Sequence, residues 1–267
     1  MTAVSIYETR VLLIYACCVA ALLGAAMGSF LNCASWRIAH GESFLKGRSR
    51  CPSCGHALGA LDLIPVFSWL LLRGRCRWCR EKISPRYLVT ELLFAALTVG
   101  CLLRFDLTVI CLRNWIFLCC LFCLSLVDLE SFTIPDGCLW IALGAWVLAL
   151  PLMGTPLREI GMHLLAGLVF GGGLLLLSLL LDKVLGKESL GGGDIKLYGV
   201  VGLYLGLAAT LFSLMAACLF GLLFGALRRR FGGKQGEQIP FGPSIAASAA
   251  LMLFFGDGLV SWYLSLL

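Results

Sequence analysis

Residues Trp115 to Asp128 read Trp-Ile-Phe-Leu-Cys-Cys-Leu-Phe-Cys-Leu-Ser-Leu-Val-Asp, an apolar run that ends on a carboxylate. A second carboxylate, Asp194, opens a later apolar run directly after Gly191–Gly193. A charged side chain at the margin of hydrocarbon is costly, so it indicates a functional site. Pro135 follows Asp128 by seven residues. Both carboxylates are therefore predicted to lie at helix ends, next to flexible backbone.

The composition indicates a membrane protein. Of the 267 residues, 60% are hydrophobic and only 13% are charged, whereas soluble domains average roughly 25% charged residues. In lipid, the backbone polar groups must bond to one another within helices or a closed barrel. Because the apolar runs are long and continuous rather than alternating, the sequence predicts an all-α integral membrane protein.

About eight transmembrane helices are predicted, each long enough to cross roughly 30 Å of hydrocarbon. The first has 26 residues without a charge, which favours an uncleaved span because a signal peptide has an apolar core of only about 7–15 residues. The sixth and seventh form one nearly unbroken run, which we divide near Leu207 because a single helix of that length would be excessive. The approximate ranges are 11–36, 86–103, 109–127, 137–153, 160–181, 194–208, 209–227 and 244–266.

The positive charges predict the orientation in the membrane. Of the 21 Lys and Arg residues, 17 lie in segments 37–87, 128–136, 182–196 and 228–243. Cytoplasmic loops of membrane proteins carry an excess of such residues. We therefore expect a multi-pass membrane protein with both termini outside and both carboxylates facing the cytoplasm. This topology explains the net charge of +6, so the lipid bilayer is an expected partner and nucleic acid is not.

Three regions are predicted along the chain. Residues 1–36 form the first transmembrane helix, residues 37–87 form a small cytoplasmic loop domain, and residues 88–267 form the membrane core that carries both carboxylates. The loop domain is the one soluble module of any size that the sequence predicts.

The loop domain contains four of the 14 cysteines in two Cys-x2-Cys pairs, Cys51 with Cys54 and Cys76 with Cys79. Two such pairs can complete a closed tetrahedral Zn²⁺ site with four thiolates, which leaves no position open for a substrate water. The predicted zinc is therefore structural. A pair of disulfides is the alternative, but structural disulfides are rare in the reducing cytoplasm. The other ten cysteines are scattered through apolar runs and are interpreted as small buried hydrophobes.

These features together resemble the bacterial type IV prepilin leader peptidases, which are membrane aspartyl proteases of the Gly-x-Gly-Asp type. The similarity follows the chain in order and covers nearly all of it. The matching stretches are Gly28-Ser-Phe-Leu-Asn32 with Arg37, the cysteine pairs with Leu72-Arg-Gly-Arg-Cys76 and Ile83-Ser, Tyr87 and Glu91-Leu-Leu, Asp128 with Ile134-Pro-Asp136, Gly191-Gly-Gly-Asp194-Ile-Lys196-Leu, and Ile239-Pro-Phe-Gly-Pro243.

The resemblance implies that the chain cleaves the leader peptide of type IV prepilins and pseudopilins after a glycine at the cytoplasmic membrane face. It also implies N-methylation of the new N-terminus with S-adenosylmethionine. Two departures lie in the region associated with methyl transfer: Leu63-Ile-Pro65 stands where the family often has Asn-Ile-Pro, and Tyr87-Leu88 where it often has Tyr-Pro. A peptidase without methyl transfer is therefore kept as an alternative.

Amide hydrolysis by a carboxylate pair requires one ionised member to activate water and one protonated member to polarise the carbonyl. Asp128 and Asp194 are the candidates for these catalytic roles. They can meet only if the third and sixth spans pack together. Glycines at Gly191, Gly192 and Gly193 would let an extended substrate backbone approach Asp194.

Secondary roles are predicted for four further residues. Gly74 and Arg75 are candidates for holding the methyl donor, because a glycine in a basic turn lets the backbone approach a ligand carboxylate. Glu91, near the inner start of the second span, is an acid that the helix dipole favours there, or it helps to hold the methyl donor or the substrate amine. Asp136, which follows a proline at the start of the fourth span, is interpreted as a helix N-cap.

Two other functions would also place acids or cysteines in a membrane protein. A proton-coupled transporter would hold its acids near mid-span, often with repeat symmetry, and neither feature is visible in the sequence. A zinc-dependent membrane enzyme would require an open zinc site, and the sequence has no His-Glu-x-x-His motif.

Overall fold

The structure is a computed structural model that describes residues 6–43, 47–51, 53–186, 189–230 and 240–266. Within these ranges the elements are helices, joined by loops that contain two isolated β-bridges. The all-α prediction is confirmed. The helices are α1 (Arg10–Ala39), α2 (Phe67–Leu71), α3 (Pro85–Phe105), α4 (Val109–Ser131), α5 (Asp136–Met153), α6 (Leu157–Leu185), α7 (Gly192–Arg230) and α8 (Gly242–Leu264), with one turn of 3₁₀ helix at Ala60–Asp62.

By length and composition, 7 helices in the described part of the chain can cross a membrane, namely all except α2. Eight spans were predicted, and the difference lies in α7. This helix has 39 residues, which would extend about 58 Å at 1.5 Å per residue, nearly twice the thickness of the hydrocarbon. Its interior is interrupted at Gly206, whose φ of 74° and ψ of 179° are not helical. The interruption lies one residue before the predicted division at Leu207.

The two halves of α7 run in opposite directions. The first half lies antiparallel to α6, because Gly202 contacts Gly167 and Gly206 approaches His163. The second half lies antiparallel to α8, because the hydroxyls of Ser213 and Ser248 are 3.0 Å apart. Since α8 begins beside Asp128, at the same end of the helices as Asp194, the chain reverses at Gly206. The single long helix therefore supplies two spans.

The chain divides into two compact units, Met1–Trp115 and Ile116–Leu267. In the first unit α1 packs against α3 at very short range. A Cβ added to Gly24 would lie 2.6 Å from the Thr98 hydroxyl, and one added to Gly28 would lie 3.1 Å from the Glu91 Cα. Small residues spaced four apart allow such close packing of transmembrane helices.

The second unit uses the same means to pack α6 against the first half of α7. A Cβ added to Gly202 would lie 2.7 Å from the backbone nitrogen of Gly167. Tyr204 lies on the same half of α7, and its hydroxyl donates a hydrogen bond of 2.7 Å to the carbonyl of Ala142 in α5. Its ring stacks on Phe117 of α4 with centroids 3.9 Å apart. These contacts join α4, α5 and the first half of α7, about 15 Å along the helices from the two carboxylates.

Candidate active site

Asp128 lies in the last turn of α4 and is 5% exposed. The helix ends three residues later, where Phe132 adopts a φ of 55°. One carboxylate oxygen of Asp128, Oδ2, accepts a hydrogen bond of 2.8 Å from the backbone N–H of Gly242. A buried carboxylate requires such a donor, because an unpaired charge in the interior is expensive.

Gly242 is the first residue of α8 and is followed by Pro243. The first N–H groups of a helix have no intrahelical partner and point toward negative charge, which the helix dipole favours. A Cβ at this position would lie 2.7 Å from Asp128 Oδ2. Glycine is therefore needed here so that the helix can approach the carboxylate. Gly242 belongs to the last of the matching stretches quoted above, so that stretch contributes a direct contact to Asp128.

Asp194 lies in the first turn of α7 and is partly exposed. The three preceding glycines have different surroundings. A Cβ added to Gly193 would lie 2.9 Å from the side chain of Ile134, and one added to Gly191 would lie 3.2 Å from Asp194 Oδ2, whereas one added to Gly192 would meet nothing within 4 Å. Packing therefore explains Gly191 and Gly193, and open space remains beside Gly192.

The carboxylates of Asp128 and Asp194 lie close enough to repel each other electrostatically. Both belong to the unit Ile116–Leu267, and the third predicted span contacts the first half of α7 through the stacked rings of Phe117 and Tyr204. Two like charges in one partly desolvated place favour a state in which one carboxyl holds a proton. The arrangement has the chemistry of a shared-proton pair.

The prediction that Asp136 is a helix N-cap is wrong. The N-cap residue of α5 is Pro135, and Asp136 is the first helical residue. Its Oδ1 accepts a hydrogen bond of 2.8 Å from Nζ of Lys196, and both side chains are more than half exposed. The ion pair links the start of α5 to the first turn of α7, two residues after Asp194.

Tyr198 follows Asp194 by one turn of α7 and was not singled out in the sequence. It is 2% exposed, and its hydroxyl has no hydrogen-bond partner among the described residues. Buried hydroxyls are usually paired. The sequence holds a signal for this residue, since positions four apart share a helix face, but a lone tyrosine in an apolar run is ordinarily a packing residue.

The cysteine prediction concerns a separate site in the first unit. The sulfur atoms of Cys51, Cys54, Cys76 and Cys79 all lie within 4.8 Å of one another. This mutual proximity fits four thiolates around one ion better than two separate disulfides. The ring of His56, close to these cysteines in sequence, packs against the ring of Trp78, with centroids 4.0 Å apart. The cluster could hold a metal ion.

The two Cys-x2-Cys pairs lie in loops of the same construction. In one, the N–H of Cys51 bonds to the carbonyl of His56, and in the other the N–H of Cys76 bonds to that of Glu81. The backbone N–H groups of Cys54 and Ser53 lower the pKa of the Cys51 thiol to about 6. Peptide N–H groups aimed at sulfur thus make one thiolate available near neutral pH, as metal binding requires.

A cavity of about 420 Å³ adjoins the second cysteine loop. It contains the predicted methyl-donor residues Gly74 and Arg75. Gly74 has a φ of 65°, and a Cβ there would lie 2.7 Å from the ring of Trp69. The complete lining is Trp69, Arg73, Gly74, Arg75, Lys82, Ile83, Ser84 and Pro85. Three cations and one indole ring give this cavity partners for a carboxylate group and for a flat aromatic or cationic group.

Glu91 lies elsewhere in the first unit, on the face of α3 that meets α1. It is 7% exposed, and its Oε2 accepts a hydrogen bond of 2.7 Å from the N–H of Val66. Val66 has a φ of 63°, which is uncommon for a β-branched residue. Glu91 therefore stabilises the start of α2, and its predicted contact with a methyl donor stays a prediction.

Two protein-family models match the chain. The Bacterial Peptidase A24 N-terminal domain matches residues 22–105, which contain the cysteine loops. The Type IV leader peptidase family matches residues 115–226, which contain both carboxylates.

Curated relatives match over most of their length. A prepilin leader peptidase/N-methyltransferase from Aeromonas salmonicida (strain A449) is 36% identical over 234 residues, which is 82% of this chain and 75% of the relative. A protein of the same name from Bacillus subtilis (strain 168) is 32% identical over 252 residues, which is 92% of this chain and 96% of the relative. No solved structure gave a significant match.

Proposed function

The chain belongs to the type IV leader peptidase family, and we propose that Asp128 and Asp194 are the carboxylate pair with which it cleaves prepilins. It is a multi-pass inner-membrane prepilin peptidase with N-methyltransferase activity. The relatives' names include both activities, so the peptidase-only alternative is not favoured, and neither is a transporter. Cleavage after a glycine, pseudopilins as further substrates and an active site facing the cytoplasm are parts of the same proposal.

The proximity of the two carboxylates is the observation that carries this assignment. The hydrogen bond from Gly242 stabilises negative charge on Asp128, and no described residue donates a hydrogen bond to Asp194. Asp128 is therefore the base and Asp194 holds the shared proton. A water molecule loses a proton to Asp128 and attacks the scissile carbonyl while Asp194 protonates the carbonyl oxygen, which gives a tetrahedral gem-diol. When the C–N bond breaks, Asp128 gives its proton to the leaving amine and Asp194 recovers a proton from a gem-diol hydroxyl, so both carboxyls return to their starting states.

The space beside Gly192 supports approach of the substrate from this side, since a side chain added there meets nothing within 4 Å. The scissile segment would lie extended beside Gly192. We assign Gly191 and Gly193 to holding Asp194 in place, because their neighbours leave no room for a side chain.

The test is to replace each carboxylate in the full-length protein and to measure leader removal from a purified prepilin by mass spectrometry. Asp128→Asn and Asp194→Asn should each abolish cleavage, because the first change removes the base and the second removes the carboxyl that holds the shared proton. Asp136→Asn removes an exposed carboxylate of the same unit and should retain cleavage within severalfold, since an exposed ion pair contributes little. Near-normal cleavage by either site variant would refute the assignment.

We propose Zn²⁺ as the ion of the four-cysteine cluster, in a structural role, within the predicted loop domain 37–87. Four thiolates and no open position suit this metal and exclude a substrate water from it. Elemental analysis of the purified protein should give about one zinc per chain. Cys51→Ser should lose the metal, whereas Cys18→Ser, a replacement of an exposed cysteine in α1, should retain it. Wild-type protein without metal would refute this proposal.

We propose that the cavity near Arg75 binds the methyl donor, S-adenosylmethionine. The carboxylate of the donor would pair with the guanidinium groups, and its adenine or sulfonium would lie against Trp69. A contact between Glu91 and the methyl donor stays a prediction. We also propose that the membrane core begins at residue 88, as predicted from the sequence.

A matched pair of arginine variants tests the cavity. Arg75→Ala should retain leader removal and lose methylation, so that mass spectrometry shows a mature N-terminus without the added methyl group. Arg48→Ala, an exposed loop position outside the cavity lining, should methylate normally. Equal methylation by both variants would exclude this cavity as the donor site.

A further inference from the structure

Two cysteines outside both sites face each other where α3 passes into α4. The sulfur atoms of Cys101 and Cys111 are 3.9 Å apart. Each thiol also approaches the other residue's carbonyl oxygen, at 3.5 Å and 3.7 Å. The two residues belong to one compact unit, Met1–Trp115. A disulfide has sulfurs about 2.05 Å apart, so closure by roughly 2 Å would join them.

The pair lies where α3 ends and α4 begins, and Cys111 is at the opposite end of α4 from Asp128. Cys101 is four residues before the end of α3, and Cys111 is two residues after the start of α4, with only Asp106–Thr108 between the helices. Asp128 lies in the last turn of the same α4. If the active site faces the cytoplasm, as proposed above, the turn that carries the two thiols faces the extracytoplasmic side. Disulfides form and persist in that compartment.

We propose that Cys101 and Cys111 form a disulfide that joins α3 to α4 at the extracytoplasmic face. The oxidant is a disulfide-bearing dithiol oxidase of that compartment. A thiolate of Cys111, which is partly exposed, attacks the oxidase disulfide and forms a mixed disulfide. The thiolate of Cys101, which is fully buried, then attacks the Cys111 sulfur. The oxidase leaves as a dithiol, so two electrons and two protons pass to it.

The chain provides an internal control at the opposite face. The thiols of Cys123 in α4 and Cys138 in α5 also contact each other. Cys123 precedes Asp128 by five residues, and Cys138 follows Asp136 by two. The proposed orientation places this second pair on the cytoplasmic side, where thiols stay reduced. Both pairs therefore bring two thiols into contact, and the compartment differs.

Differential alkylation of the full-length protein tests the proposal. Cells are quenched in acid with excess membrane-permeant maleimide, and the protein is digested without reductant for mass spectrometry. Most of the chains should yield a peptide pair linked through Cys101 and Cys111, while Cys123 and Cys138 carry maleimide. In cells without the dithiol oxidase, the first pair should be alkylated as well. Alkylated Cys101 and Cys111 in oxidase-containing cells, or equal oxidation of both pairs, would overturn the proposal.

A second measurement separates this proposal from the orientation on which it rests. In a Cys101→Ser variant, a membrane-impermeant maleimide applied to intact cells with a permeable outer membrane should label Cys111. Labelling together with a reduced wild-type pair would refute the disulfide and leave the orientation standing. A lack of labelling would refute both. Prepilin cleavage by the same preparations reports independently on the peptidase.

A stability measurement complements the chemical one. Closing a loop of about ten residues should raise the melting temperature by about 5 °C. Reductant should therefore lower the melting temperature of the wild type and leave a Cys101→Ser/Cys111→Ser double variant unchanged. An equal response of the two proteins to reductant would contradict a disulfide at this position.

Discussion

Replacement of Gly242 by alanine should impair catalysis without weakening α8. The added Cβ would lie 2.7 Å from Asp128 Oδ2 and 3.1 Å from its Cγ, so the carboxylate must move and its hydrogen bond from the backbone N–H must lengthen. A hydrogen bond to a charged group contributes about 1.5–3 kcal/mol. If that interaction is fully expressed in the transition state, its loss lowers kcat about 10- to 100-fold. Alanine is the better helix former, so the helix itself should not be destabilised.

The assay is leader removal from a purified prepilin under single-turnover and steady-state conditions, with kcat and KM determined separately. Gly258→Ala, which lies later in α8 and meets nothing within 4 Å, is the matched control and should keep the wild-type kcat. A misfolded Gly242→Ala protein would be recognised by a melting temperature below that of the control. A well-folded Gly242→Ala variant with a kcat within twofold of the wild type would refute the role given to this contact.

Three further predictions follow from the same geometry. Gly193→Ala should reduce leader removal at least tenfold, because its Cβ would press on Ile134 at 2.9 Å. Gly192→Ala should lose activity only if substrate occupies the open space beside it. The cleavage rates of the two variants measure both effects. Tyr198→Phe should raise the melting temperature slightly, because it removes a buried hydroxyl that has no described partner, and burying such a group costs about 1–3 kcal/mol. A marked loss of cleavage would instead give that hydroxyl a role in the reaction. Metal should be retained at neutral pH and released on acidification, because protons compete with the ion for the four thiolates. Release should occur below the pKa of about 6 that the Cys51 thiol has without metal, since a bound cation stabilises the thiolate further; metal content after dialysis at each pH measures this, and loss of metal at pH 7 would contradict it.

The transmembrane helices could be predicted because each is a continuous apolar run, and lipid leaves the backbone no other solution than a helix. The interruption of α7 was predicted from length alone. Its cause is the conformation of Gly206, with φ 74°, which an apolar stretch rich in glycine does not reveal. The number of spans could therefore be predicted from the thickness of the bilayer, whereas the residue at which the chain turns could be predicted only approximately.

The cysteine cluster could be predicted for a different reason. Each Cys-x2-Cys pair encodes a local loop geometry, and the fold brings the two pairs together so that all four sulfur atoms lie within 4.8 Å of one another. Glu91 shows the limit of this reasoning. Its partner, Val66, lies 25 residues away, and its hydrogen bond depends on the fold of a segment for which the sequence has no periodic pattern.

The carboxylate pair could be proposed from sequence, but its partners could not. Asp128 and Gly242 are 114 residues apart, and neither has a local feature that points to the other. The same holds for Asp136, which a local rule assigned to a helix cap and which instead pairs with Lys196, 60 residues away. Contacts between distant helices depend on which helix faces meet, and apolar spans with little amphipathicity do not specify that.

The helix ends explain why the two carboxylates of the proposed pair are unequal. Asp128 lies at the C-terminal end of α4, where the helix dipole disfavours negative charge. The start of α8 offsets this, because the N–H of Gly242 donates a hydrogen bond to the carboxylate. Asp194 lies in the first turn of α7, where the dipole favours negative charge, but no described residue donates a hydrogen bond to it. The direct donor to Asp128 therefore decides the proposed roles of ionised base and protonated acid, so a change that moves the start of α8 should disturb the reaction more than a change of similar size along its length.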